Sequence, residues 1–294
     1  MSGRPSGTFV PPTGRMVDFG QQAAESAVEQ LGDEAAVEDW EKKPLLNRDS
    51  FHTEFSTEDY LRDFYAKVDD PAMQMVLNFL PGIVVRLPDC ESILDFGAGP
   101  TIHVPVCFRN RTKKIYMADY LPQNRAELER WLEKKSTFDW TRTLRMIATR
   151  EGIGWEKTAE MEEFTRNKIA GVFYCNCLED PVLEAPGELC GNFGVVISIF
   201  TIEYCSNTHE EYKDAIRRVV SLIRPGGFFV LCGILQETWC SFGGRKFSCL
   251  YITKEFMLEC LQGAGLRVDF EDREHPVTFF EINGMFMIAA QKAE

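Results

Sequence analysis

Leu94-Asp95-Phe96-Gly97-Ala98-Gly99-Pro100-Thr101-Ile102 is the stretch that decides the fold. A short apolar run ends in two glycines one residue apart, and a helix-compatible segment follows. That order reads as strand, tight turn, helix. Glycine lets the backbone turn sharply and come close to a ligand, although turns after strands also use it for structural reasons alone. Two neighbours narrow the reading. Asp119 closes the next apolar run, 20 residues after Gly99, where a carboxylate can accept the ribose hydroxyl protons of an adenosyl group. Ile102 stands where the pattern Gly-x-Gly-x-x-Gly of dinucleotide sites has its third glycine, the one that allows close packing beside a pyrophosphate. The loop therefore suits an adenosyl ligand without a pyrophosphate, S-adenosylmethionine, better than NAD or FAD.

Working outward, strand and helix patterns alternate. Apolar runs at 92–96, 114–118, 171–177, 193–199 and 228–234 read as strands, with further strands expected at 144–148, 267–270 and 285–290. Helices are expected at 122–135, where Pro122 sits just inside the start, and at 155–168, 208–223 and 254–263. Ahead of them, Thr57 can cap a helix that puts Tyr60, Leu61, Phe64 and Tyr65 on one face, and a second helix runs from Pro71 to about Val85. Continuous apolar strands separated by helices imply a mostly parallel sheet covered on both faces. The expected architecture is α/β and Rossmann-like: a seven-stranded, mostly parallel sheet flanked by helices, with N-terminal cap helices. Ligands of such sheets bind beyond the carboxyl ends of the strands, where the strand order reverses.

Residues 1–45 differ from the rest, beginning Gly-, Pro-, Ser- and Thr-rich and continuing acidic. They are expected to form a flexible extension with one weak helix over 16–31, leaving 46–294 as the folded domain. In the 294-residue chain, apolar residues make up 45% and aromatic residues 12%, enough for a large core. The net charge of −13 argues against a nucleic-acid partner, which needs a basic face. Ten cysteines contain no Cys-x-x-Cys pair, and with four histidines no zinc-ligand spacing arises. Reduced thiols in a cytosolic protein are expected, with no metal. There is no signal-peptide pattern, and no apolar run long enough to span a membrane.

The glycine loop, Ala118-Asp119-Tyr120, Gln123-Asn124, Glu127-Leu128-Glu129-Arg130-Trp131-Leu132, Phe138-Asp139-Trp140 and Leu222-Ile223-Arg224-Pro225-Gly226-Gly227 together resemble the phenylethanolamine, nicotinamide and indolethylamine N-methyltransferases. The resemblance runs from about Phe51 to Lys292. Other methyltransferases share the glycines but not the run from Asp119 to Leu132. The resemblance implies that Tyr60 and Tyr65 close over S-adenosylmethionine at its methionine end. It puts Gly97 and Gly99 beneath the cofactor, Thr101 at its carboxylate, Asp119 and Tyr120 at the ribose and adenine, and Asn124 again at the methionine end. Two positions depart from the family. His103 replaces a tyrosine, and is either a hydrogen-bonding group or a helix cap. Asn176 replaces an aspartate at the adenine amino group and keeps an acceptor oxygen without the charge. Cys177 completes the cofactor-binding set.

The resemblance also matches Glu203 and Glu237 to glutamates that engage the substrate amine, which makes them the catalytic candidates. A carboxylate can hold an ammonium or take its proton. The nicotinamide branch has its acidic residue four positions before Glu237, at Gly233 here, so the pocket leans toward a phenylethylamine or another arylalkylamine. Tyr204, Trp239, Phe242 and one of Phe279 or Phe280 are expected in its wall, with Glu281 nearby. The alternatives are a pyridine substrate such as nicotinamide and a non-catalytic cofactor-binding relative. Methyltransferases of bases use an Asn/Asp-Pro-Pro-aromatic loop, whereas this chain has Ser198-Ile199-Phe200-Thr201-Ile202-Glu203. A monomer acting on a small molecule is expected.

Overall fold

The computed structural model describes residues 42–294. The helix expected at 16–31 and all but the last four residues of the expected extension lie outside the described residues. The described strands and helices include β1 (Leu45–Leu46), α1 (Phe51–Glu54), α2 (Thr57–Tyr65) and α3 (Pro71–Val84). The α2 cap is Ser56, whose hydroxyl accepts from Asp59 N at 3.2 Å. Thr57 instead donates its hydroxyl to Asn124 Oδ1 at 2.8 Å. Asp70 caps α3 by accepting from Met73 N at 2.9 Å, and Pro71 takes the first helical position.

The strand–helix alternation then follows: β2 (Cys90–Phe96), α4 (His103–Phe108), β3 (Thr112–Asp119), α5 (Pro122–Leu132), α6 (Thr141–Glu151), α7 (Thr158–Arg166), β4 (Ile169–Tyr174), β5 (Phe193–Ile199), α8 (Ile202–Cys205), α9 (His209–Ser221) and β6 (Ile223–Ile234). The chain ends with β7 (Trp239–Phe242), β8 (Arg245–Ser248), α10 (Lys254–Gly263), β9 (Leu266–Arg267), β10 (Thr278–Ile282) and β11 (Met285–Lys292). The main sheet runs β10-β11-β6-β5-β2-β3-β4, with β9 paired to the end of β11, making eight strands rather than seven. The five strands from β6 to β4 are parallel to one another, and β11 is antiparallel to β6. The chain moves from β2 through β3 to β4, then returns to the other side of β2 with β5. The order therefore reverses at β2, and the glycine loop leaves β2 at that point.

Period-two alternation divides the core. On one face Ile93, Ile115, Met117, Val195, Ile197 and Val230 meet the α3, α4 and α6 side. Their neighbours Leu94, Phe96, Tyr116, Val196, Phe229 and Leu231 meet α9 and α10 on the other. Each such fully buried side chain contributes about 1.5–3 kcal/mol, so the strands tolerate burial on both faces and little else.

Residues 144–148, expected as a strand, lie in α6. Thr143, Leu144, Ile147 and Ala148 are its buried residues, and their i, i+3, i+4 spacing is helical. Gly152, at φ 70°, closes that helix. The strand expected at 267–270 shrinks to β9. Two hairpins join the expected elements. In β7–β8 the turn is Gly243-Gly244, at φ 58° and 70°, and in β10–β11 it is Asn283-Gly284, at φ 51° and 80°. Both match the two-residue turns whose positive φ suits the twist of paired strands. β8 also pairs in parallel with β1, making a second, three-stranded sheet. No helix among the described residues is long and apolar enough to cross a membrane.

Candidate functional site

A cavity of 1280 Å³ opens at the carboxyl ends of β2, β3, β4, β5 and β6, beneath α1, α2 and the β7–β8 hairpin. All eleven residues expected to bind the cofactor line it: Tyr60, Tyr65, Gly97, Gly99, Thr101, His103, Asp119, Tyr120, Asn124, Asn176 and Cys177.

The floor is built by the backbone. Gly97 N and Ala98 N both donate to the Ala118 carbonyl at 2.9 Å, tying the loop to β3. Gly97 and Gly99 have φ of 74° and 58°. A Cβ on Gly97 would collide with the Thr201 side chain, whereas one on Gly99 would meet nothing nearer than Thr101 Cγ2 at 3.8 Å. The first glycine thus serves the close approach of β5's loop, and the second leaves open room above the loop.

Asp119 organises the next wall. One carboxylate oxygen accepts from Gly99 N at 2.8 Å. The other accepts from Leu121 N at 2.8 Å and Asn124 Nδ2 at 3.1 Å. Burial still pushes its pKa upward against these bonds. A ribose diol arriving here meets an oriented acceptor with lone pairs to spare.

Two polar atoms at the cavity are buried without a hydrogen-bond partner among the described residues: Asp95 Oδ2 and His103 Nε2. Burial, helped by the charge of Asp119, holds the Asp95 carboxyl well above the usual range. His103 makes no side-chain cap on α4. Its Nδ1 lies 3.3 Å from the Tyr65 hydroxyl, and burial lowers its pKa to about 3, so the ring is neutral. An adenosyl ligand with a charged amino-acid end would satisfy orphaned polar atoms of this kind, since buried polar groups are costly when unpaired. The residues fit the ligand inferred from the loop. Asn176 fits less directly, because its Oδ1 already accepts from Leu178 N at 3.0 Å within its own turn.

One wall of the cavity is aromatic. The Tyr60 ring lies 5.2 Å from Phe55, 4.9 Å from Phe64 and 5.4 Å from Phe242, and Phe242 stacks on Phe247 at 4.4 Å. α1, α2 and the hairpin thus supply one continuous wall. Tyr204 and Trp239 line the cavity as expected; Phe279 and Phe280 do not. Phe280 packs on Phe79 instead, at 4.7 Å. Glu281 is surface-bound to Lys254 at 3.0 Å.

The two catalytic candidates are buried but do not line the cavity; Tyr204 and Ile234 beside them do. Glu203 Oε1 has no hydrogen-bond partner among the described residues, and burial lifts its pKa to about 7. Glu237 Oε1 accepts from Thr238 N at 2.9 Å. The charges of both reach Cys240, a wall residue. Burial, then the charges of Glu203, Glu237 and Asp70, push that thiol up to about 12, while a bond to Tyr204 opposes them. Asp70, Phe55, Thr201 and Cys205 also line the cavity and were not singled out from sequence; only Asp70, as a cap before Pro71, carried a local signal.

A parallel sheet with this switch point, a glycine loop without a third glycine, an acid closing the second strand and a cavity large enough for two ligands define the class I S-adenosylmethionine-dependent methyltransferases. The comparisons agree. The sequence pattern of the NNMT/PNMT/TEMT family matches residues 42–293, and the chain belongs to that family. Its cofactor is S-adenosylmethionine. A Caenorhabditis elegans protein named nicotinamide N-methyltransferase is 34% identical, over 90% of this chain and 97% of its own. A mouse indolethylamine N-methyltransferase is 28% identical, over 78% of this chain and 88% of its own. Among solved structures, an O-methyltransferase family protein from Burkholderia thailandensis shares the fold at a TM-score of 0.52 and 12% identity, covering 94% of this chain and 70% of that one.

Proposed function

We propose that the chain transfers a methyl group from S-adenosylmethionine to the nitrogen of a small amine with an aromatic body, of the phenylethylamine or arylalkylamine type. The aromatic wall made by Phe55, Tyr204, Trp239 and Phe242 carries this reading.

The cofactor supplies a methyl group already activated on a sulfonium, so the chain's work is position and electrostatics. The glycine loop and Asp119 fix the adenosyl end. Tyr204, Trp239 and Phe242 hold an aryl body, and a cation against such faces gains about 0.5–2 kcal/mol. An amine arriving as ammonium must release a proton before its lone pair can react. Glu203, poised near neutrality with Oε1 unbonded, is the group whose charge answers that arrival: a cation at the Tyr204–Ile234 wall favours its ionised form. Glu237 and Asp70 add negative field there.

A second reading, a pyridine nitrogen, is favoured by the C. elegans relative's name. A neutral pyridine ring brings no ammonium for these carboxylates to hold. Calorimetric titration of the protein saturated with S-adenosylhomocysteine separates the two. Phenylethylamine and tryptamine should bind, and Glu203→Gln should weaken them about tenfold, the scale of one charged hydrogen bond. Failure of both amines to bind would contradict the proposal, and binding by nicotinamide alone would replace it with the second reading.

A further inference from the structure

Asp119 at the end of β3 pairs in register with Tyr174 at the end of β4. β2 and its glycine loop lie on one side of β3, and β4 lies on the other. With the methionine end of the cofactor over the glycine loop and its ribose at Asp119, the base extends toward the loop after β4. Residues 175–179 of that loop all line the cavity. The outer edge of adenine carries an amino group, which donates, so this stretch of wall needs an acceptor. Asn176 is already committed within the loop. Its Oδ1 accepts from Leu178 N at 3.0 Å, and its Nδ2 donates to the Tyr174 hydroxyl at 3.5 Å. That hydroxyl in turn donates to Glu179 Oε2 at 3.5 Å. Glu179 N donates to the Asn176 carbonyl at 3.2 Å, which folds the chain back and returns the carboxylate to the end of β4. The two 3.5 Å contacts are long, so the carboxylate is held near Tyr174 without being locked there. Glu179 is the one carboxylate that residues 175–179 bring to the cavity, and no hydrogen bond or ion pair engages its Oε1 among the described residues.

We propose that Glu179 is the residue that selects the cofactor's base, by accepting a hydrogen bond from the adenine amino group. A carboxylate only accepts. It gains a charge-assisted bond from an amino group and is repelled by a carbonyl oxygen at the same place. A side-chain amide there would take either, because it offers both an acceptor and donors. Glu179 is exposed although it lines the cavity, and water weakens such a bond, so the selectivity it confers is moderate.

The test is calorimetric titration of the full chain with S-adenosylhomocysteine and with S-inosylhomocysteine, whose base has a carbonyl oxygen in place of the amino group. It needs no methyl acceptor, so its outcome is independent of the substrate. The parent should bind the adenosyl ligand about tenfold more tightly than the inosyl one. Glu179→Gln should bring the two affinities to within about threefold of each other, with the inosyl ligand gaining and the adenosyl ligand losing. A ratio that Glu179→Gln leaves unchanged would overturn the proposal, and if both ligands weakened together it would assign Glu179 a structural role only. A parent that binds the two ligands alike would overturn it as well.

Discussion

Glu203 occupies the space that a side chain at position 233 would need: a Cβ on Gly233 would lie 2.7 Å from Glu203 Oε1 and 3.1 Å from Phe286 Cε1. The glycine is therefore a packing requirement of the buried carboxyl. Gly233→Ala should destabilise the protein by about 1–3 kcal/mol, as overpacking does, and the double variant with Glu203→Ala should recover part of that loss. Denaturant unfolding of the two single variants and the double variant measures it. Equal stability of Gly233→Ala and the unaltered protein would show that the carboxyl moves aside freely.

Glu203 also gives stability a pH dependence. Its pKa rises from 4.5 to about 7 on folding because of burial, so the folded state binds the proton more tightly than the unfolded chain. The stabilisation is present at acidic pH and is lost as pH climbs through about 7. Between pH 5.5 and 8 this group should remove about 2 kcal/mol of stability. Glu203→Gln should remove that component, seen as the difference in unfolding free energy between variant and parent at the two pH values. A difference independent of pH would mean the carboxyl is ionised in the fold.

His103 acts with the opposite sign. Its pKa falls from 6.5 to about 3 on burial, so its contribution is full above pH 6.5 and lost as pH falls. His103→Gln should be less sensitive than the parent to acidification from about pH 7 to 5, by roughly 1–2 kcal/mol. An unchanged sensitivity would place a charged, solvated imidazole at that position.

Asp119 holds Gly99, Leu121 and Asn124 at once. Asp119→Ala should lower S-adenosylhomocysteine affinity by about 10- to 100-fold, the scale of one or two charge-assisted hydrogen bonds, with Asp119→Asn between the two. Calorimetry reads this directly, and undiminished affinity in Asp119→Ala would remove the residue from the ribose site.

Most of the sheet was legible because buried parallel strands are apolar throughout and their ends carry glycine, as at Phe96–Gly97, or acid, as at Asp119. The same directness put all eleven expected cofactor residues on one cavity. Short apolar runs were the weak point. Residues 144–148 fit a strand by composition, and only the spacing of Thr143, Leu144, Ile147 and Ala148 distinguishes the helix. The hairpins at Gly243-Gly244 and Asn283-Gly284 went unread, because strands as short as β7 carry little pattern of their own. The substrate end resisted reading for a different reason. Whether a glutamate after a strand faces the cavity or turns into the core depends on its neighbours' volumes, and Gly233 gave Glu203 a place behind the wall that no local signal announces.

The most direct measurement of the central claim is transfer of labelled methyl from S-adenosylmethionine by the purified protein to phenylethylamine, phenylethanolamine, tryptamine, nicotinamide and quinoline, with the product's methylated nitrogen located by mass spectrometry. The account predicts label on the aliphatic nitrogen of at least one arylalkylamine, with turnover reduced in Glu203→Gln. Label on the pyridine nitrogens alone, or on no amine while S-adenosylmethionine binds, would contradict it.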